Sequence, residues 1–185
     1  NPYLILISCI LSLRTKDKTT TEASLRLFKA ADNPHKMIRL TNSRLEKIIY
    51  PVGFYHNKAK AIKDLSLKII KDFAGRVPDN MDRLLELKGV GRKTANLVLG
   101  LAYNIPSICV DTHVHKVSNR LGWVRTNKPE ETEEALKRII PRNYWIRLNT
   151  VMVAFGQNIC VPVSPYCSRC YAHKICKRVG VNRSR

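Results

Sequence analysis

Two groups of residues in this chain have types and spacing that could do chemistry. The first is Cys160, Cys167, Cys170 and Cys176, spaced C-x6-C-x2-C-x5-C. Thiolates are soft ligands, and four within one short stretch can converge on a tetrahedral zinc or a [4Fe–4S] cluster. Zinc ribbons usually join two C-x2-C knuckles from separate hairpins. Here one such pair sits inside one compact loop, which favours iron–sulfur and keeps zinc as the alternative. The second group is Lys93, in Leu87-Lys-Gly-Val-Gly-Arg-Lys-Thr-Ala95, with Asp111 further on in Val110-Asp-Thr-His-Val-His115.

The segment around Lys93 reads as a helix stopping at Leu87, a turn holding Gly89 and Gly91, and a second helix starting at once. Glycine permits the positive φ of such a turn and leaves backbone N–H groups open to an anion. The start of the second helix adds unsatisfied donors and a favourable dipole. Over residues 84–102 this is a helix-hairpin-helix, a sequence-neutral grip on a nucleic-acid backbone. Its candidate contacts are Gly89, Val90, Gly91, Arg92 and Thr94. Lys93 falls in the first helical turn, where the dipole disfavours a cation. Neighbouring Lys88 and Arg92 do the same, and partial burial would add to it. A lysine held partly neutral is a nucleophile able to form a Schiff base. Asp111, read alone, is an N-cap following a buried apolar run. His113 and His115 have no carboxylate at metal-ligand spacing and are placed near the surface.

The elements that must position these groups are helical. Leu4–Leu13 is too short to span a membrane and reads as a buried helix. Residues 56–74 put Ile62, Leu65, Ile69 and Phe73 on one face, with Lys58, Lys63 and Lys71 elsewhere. Ser43 and Glu46 suggest a capping box, Pro78-Asp79 a helix start, and Pro129-Glu-Glu131 a favourable first turn. Residues 145–158 form one more buried helix, and Ser107–Val110 a loop lead-in. Turn signals recur at the rhythm of an all-α protein. The expected division is 1–105 and 106–185. Cys9 and Cys109 lie in apolar runs as inert core thiols.

Lys plus Arg number 33 against 14 Asp plus Glu, a net charge of +19 over 185 residues. An excess of that size answers a polyanion, and nucleic acid is the leading partner. The basic residues are spread along the chain, which disfavours a membrane surface. An intracellular protein acting on chromosomal DNA as a monomer is expected.

These motifs together resemble the endonuclease III family of DNA glycosylases, in the helix-hairpin-helix Gly/Pro–Asp superfamily. The likeness runs from about Asn1 to Cys176. It implies two helical lobes with DNA bound in the cleft between them. One is a six-helix barrel carrying the hairpin, and the other carries a [4Fe–4S] cluster on the four cysteines. By motif position Lys93 is the catalytic nucleophile and Asp111 the catalytic aspartate. The implied activity is excision of oxidised or fragmented pyrimidines from damaged duplex DNA, followed by β-elimination through a lysine Schiff base. Tyr50-Pro-Val-Gly-Phe-Tyr55 resembles the family's intercalating loop, with Phe54 or Tyr55 as the wedge and Phe54 favoured. His113 is a further DNA contact by motif. Arg14 stands where the family often has Gln to fill the gap left by the extruded base. The loop Val161–Tyr166 lacks the family's basic residues, so phosphate contact passes to Arg169, Lys174, Lys177 and Arg178. A segment that packs on the cluster lobe is expected ahead of Asn1. The alternatives are a monofunctional mismatch glycosylase, against which Lys93 argues, and a non-enzymatic DNA-binding module.

Overall fold

The structure is a computed structural model describing residues 1–185. It contains ten α-helices, two short 3-10 turns and no strand. Two compact units divide the chain, Asn1–Tyr103 and Asn104–Arg185.

The first unit holds α1 (Pro2–Ser12), α2 (Asp17–Ala30), α3 (Pro34–Arg39), α4 (Asn42–Ile49), α5 (Tyr55–Phe73), α6 (Met81–Leu85) and α7 (Arg92–Tyr103). Its core is built around α1, which packs on α2, α5 and α7. Leu6, Ile7 and Leu11 of α1 are wholly buried, as are Leu27, Met37, Leu45, Ile49, Ile62, Ile69 and Leu84 around them. Each such side chain stabilises the fold by roughly 1.5–3 kcal/mol through burial. The apolar run read as a buried helix is therefore the central element of this unit. A Tyr3 hydroxyl to Ser66 Oγ bond of 2.6 Å joins α1 to α5 inside the core.

Several ends differ from expectation, each for a local reason. Thr41, not Ser43, caps α4, accepting from the Arg44 N–H at 3.2 Å. Glu46 then lies inside the helix and pairs with His56 at 2.8 Å. Helix α6 starts at Met81, not at Pro78, because Asn80 takes the cap and the Tyr103 hydroxyl holds the Val77 carbonyl outside the helix. Helix α5 begins and ends on left-handed residues, Phe54 (φ 58°) and Ala74 (φ 50°). Lys58 is not on its solvent face: four residues before Ile62, it lies on the apolar stripe and is 7% exposed.

The second unit holds α8 (Thr112–Leu121), α9 (Pro129–Ile139) and α10 (Trp145–Asn158), followed by an irregular segment with a 3-10 turn at Cys167–Arg169. Ile108, Val110, Val114, Val117, Leu136, Leu148 and Met152 form its core. Gly122 (φ 77°) ends α8, its N–H and that of Trp123 returning to the Asn119 and Ser118 carbonyls. Pro129 opens α9, and the Glu131 carboxylate accepts from the N–H groups of Asn127 and Lys128 at 3.0 and 3.3 Å. No helix is long and apolar enough to cross a membrane.

Candidate active site and nucleic-acid interface

The hairpin is made by a short turn between α6 and α7. Val90 N–H donates to the Leu87 carbonyl at 2.9 Å, and Gly89 sits at φ +87°. Leu87 and Val90 are 1% and 6% exposed, so two apolar side chains anchor the turn from below. Lys88, Gly89, Gly91, Arg92 and Lys93 are all exposed. Open space lies where a side chain at Gly89 or Gly91 would begin, so their smallness keeps the outer backbone bare. Thr94 is buried and Val90 nearly so. Of these two only the backbone can reach outward. No acidic residue occupies the first turn of α7, so its own sequence leaves the positive end of the dipole available to an anion.

Lys93 is the second residue of α7 and is exposed, not part-buried as its sequence context suggested. Its positive charge is felt by the Cys9 thiol of α1, which burial nonetheless pushes up to about 11. Cys9 is therefore a protonated thiol, but it is only partly buried and lies outside the core proper, whereas Cys109 is buried as expected.

Asp111 is the N-cap of α8, and its Oδ1 accepts from the His113 and Val114 N–H groups at 2.9 and 2.8 Å. The second oxygen takes neither bond. The lead-in Ile108–Val110 is buried, and Asn149 of α10 donates to the Cys109 carbonyl at 3.1 Å, fixing the approach to the cap. His113 is half-buried against α10: a side chain on Gly156 would meet its Nδ1 at 2.6 Å. His115 bonds Thr132 at 2.6 Å and serves the packing of α9.

The loop before α5 separates its two candidate wedges. Phe54 is 59% exposed, while Tyr55 turns back onto the core and meets Tyr50 edge-on at 5.4 Å. Arg14, also left-handed (φ 52°), lies with its guanidinium carbon 5.7 Å from the Phe54 ring centre. Two adjacent non-glycine residues in this region, each costing roughly 1–2 kcal/mol, need external support.

That support comes from a residue the sequence reading missed. The Lys58 ammonium donates to the carbonyls of Leu11 and Leu13 at 2.8 and 2.5 Å and to Thr15 Oγ1 at 3.1 Å. Burial pulls its pKa down to about 8. Arg26 of α2 holds the other side of the loop, donating to the Ile48 and Tyr50 carbonyls at 3.0 and 2.5 Å.

All six cysteines are free thiols. Cys160, Cys167, Cys170 and Cys176 line a single cavity with Phe155, Ile159, Pro165 and Tyr166. No three Cys, His, Asp or Glu side chains close to the spacing of ligands around one ion. Burial raises the Cys170 thiol, the Ala172 backbone opposes this, and the other three cysteines push the same way as burial. Arg120 of α8, also missed from sequence, is 7% exposed against this loop. Its guanidinium donates to the carbonyls of Cys160, Val161 and Pro162 at 3.2, 2.8 and 2.7 Å. It also lies 3.5 Å from Cys160 Sγ. Arg169 and Arg185 both place their guanidinium carbons near the Tyr166 ring, 4.4 and 4.1 Å from its centre. Arg169, Lys174, Lys177 and Arg178 are exposed around it.

A helix-hairpin-helix with an exposed lysine behind it, and an aspartate capping a later helix, define a class of base-excising protein. Residues 7–142 match the model of the HhH-GPD superfamily base excision DNA repair proteins. Endonuclease III of Thermotoga maritima is 45% identical over 177 residues, covering 96% of this chain and 83% of the relative. Endonuclease III-like protein 1 of Gallus gallus is 41% identical over 94% of this chain, which spans 63% of that longer protein. A solved trapped covalent intermediate of endonuclease III with DNA, an estranged-adenine complex, superposes with a TM-score of 0.90 at 38% identity, over 96% of this chain and 84% of that one. The chain belongs to the endonuclease III family of DNA glycosylases and AP lyases acting in base excision repair.

Proposed function

We propose that this chain excises oxidised or fragmented pyrimidines from duplex DNA as a monomer, and then nicks the strand through a Schiff base on Lys93. The observation that carries the reading is the placement of Lys93: exposed, in the first turn of α7, directly behind a hairpin with bare outer backbone. A relative in this family has been caught as a covalent intermediate with DNA, which accords with a protein nucleophile.

The hairpin N–H groups and Arg92 hold a phosphate. The target base leaves the stack, since its C1′ is shielded inside the duplex. The Lys93 amine attacks C1′ as the C1′–N bond breaks, and the base departs carrying a proton. Asp111 has an oxygen outside its two cap bonds. That oxygen stabilises positive character at the sugar and relays the proton released by the attacking amine. The sugar ring opens to the iminium. Loss of a C2′ proton then expels the 3′ phosphate oxygen, giving a nicked strand with a blocked 3′ end. Phe54 is the wedge and Arg14 fills the space left by the base.

Cys160, Cys167, Cys170 and Cys176 would hold a [4Fe–4S] cluster. The fit rests on four free thiols around one apolar-walled cavity, with a buried cation beside them to balance anionic sulfur. When bound, the cluster supplies four iron–thiolate bonds that tie residues 160–176 into one loop. That loop presents Arg169, Lys174, Lys177 and Arg178 to phosphate.

Borohydride trapping on duplex DNA bearing one thymine glycol tests the proposal. Wild type gives a covalent band, Lys93→Ala gives none, and Asp111→Asn gives a faint one. A band that survives in Lys93→Ala, or base release from wild type without any band, would overturn the nucleophile assignment.

A further inference from the structure

We propose that Lys58 is a positioning residue for base extrusion, locking the turn that carries Arg14 to the loop that carries Phe54. The inference rests on the reading of those two residues given under Proposed function. Helix α1 ends at Ser12, so the Leu11 carbonyl belongs to its unsatisfied last turn and the Leu13 carbonyl lies just beyond. An ammonium has three donors, and all three of those on Lys58 are used: Leu11 O, Leu13 O and Thr15 Oγ1. Thr15 passes the restraint on. Its Oγ1 also accepts from the Gly53 N–H at 3.2 Å, one residue before Phe54.

The two segments touch so closely that a side chain on Gly53 would meet the Arg14 carbonyl oxygen at 2.6 Å. Gly53 is thus needed for close approach, and Lys58 closes the knot from inside. Arg14 and Phe54 emerge from it side by side, both exposed and both left-handed. Neither has a side-chain hydrogen bond to hold it, so their placement is inherited from the backbone beneath. Lys58 touches no exposed surface suited to DNA, being 7% exposed. Its effect on the reaction therefore passes through Arg14 and Phe54. A preformed wedge spares the ordering of two loops during extrusion.

Three readouts on Lys58→Met and Thr15→Val test this. They are single-turnover base release from thymine-glycol duplex, fluorescence of 2-aminopurine opposite the lesion, and borohydride trapping on a single-stranded abasic oligonucleotide. Trapping on the single strand needs no wedge. Both variants are expected to slow base release by roughly tenfold to a hundredfold and to lose the fluorescence rise, with single-strand trapping unchanged. Adding Phe54→Ala should slow them no further, as expected for residues acting as one unit. Effects that multiply with Phe54→Ala, a parallel fall in single-strand trapping, or wild-type base release would each overturn the proposal. Thr15→Val carries the test should Lys58→Met fail to fold. Phe54→Ala and Arg14→Ala that leave fluorescence and release intact would remove the parent reading and this inference with it. Slow Phe54→Ala beside unaffected Lys58→Met and Thr15→Val would overturn this inference alone.

Discussion

Lys58 in the first unit and Arg120 in the second solve one problem with different chemistry. Each is a buried cation, 7% exposed, lying beneath an irregular stretch whose backbone carbonyls have no helix or sheet to receive them. Lys58 gathers two carbonyls and a hydroxyl, and Arg120 three carbonyls and the flank of a thiol. The ammonium can lose its proton when desolvated, whereas the guanidinium stays charged and presents a rigid fork. The Lys58 knot is therefore a soft clamp. The Arg120 anchor is an obligatory one, placed where four thiols must also be kept in register. What differs is the cost of removal, and the variants below separate the two.

Arg120→Met should give the largest effect. It removes the donor from three part-buried carbonyls, and charged hydrogen bonds are worth roughly 1.5–3 kcal/mol each before solvent takes over, so a loss of about 3 kcal/mol is expected. The loss should appear as a lower denaturant midpoint with less iron and weaker visible absorbance in the purified protein. Cys167→Ser should reduce iron and absorbance to a similar extent while leaving the Arg120 carbonyl bonds in place. If Arg120→Met retains full stability, the loop is held by its thiols alone and the likeness to Lys58 fails.

The aromatic pair on the softer clamp comes next. Tyr55→Ala removes a ring packed on the core and should cost roughly 2–3 kcal/mol, measured by thermal or denaturant unfolding. Phe54→Ala removes a ring that is 59% exposed and should change stability by no more than about 0.5 kcal/mol. Its effect should fall on base release from duplex DNA instead. Equal destabilisation by both would mean that Phe54 belongs to the core.

What the sequence made legible follows from where each determinant lies. The helical rhythm of α1, α5 and α10 could be read because apolar spacing is a property of the segment itself. Gly89 and Asp111 could be placed because a turn and a cap are decided within a few residues. The cap of α4 was misplaced because Thr41 and Ser43 are both competent, and only the local backbone chooses between them. Lys58 and Arg120 were opaque for a different reason. A cation reads as solvent-facing unless distant carbonyls claim it, and Leu11, Leu13, Val161 and Pro162 lie far off in sequence. A signal was present: Lys58 is four residues before Ile62, and Arg120 three after Val117, both on apolar stripes. A cation on such a stripe marks backbone in need of donors.

The pH dependence of the soft clamp is its sharpest test, because it isolates protonation from packing. Burial holds the Lys58 pKa at about 8, below its ordinary 10.5. Between those values the unfolded chain carries the proton and the folded chain has released it. The unfolded state then binds more protons, so this group makes stability rise with pH across that window. Below about pH 8 both states are charged, and the folded state bears the whole cost of the buried charge. Lys58→Met lacks the group, so wild type should gain on it from about pH 8 to 10.5, by at most about 3 kcal/mol and less after solvent screening. Single-turnover base release by wild type should fall over the same range, since a neutral amine has two donors for three acceptors. Stability and extrusion would thus move in opposite directions with pH. A stability difference flat across the window would show that the three acceptors keep Lys58 charged and that the clamp is as rigid as its counterpart at Arg120, whereas a rise in both would show that losing the proton does not loosen the clamp.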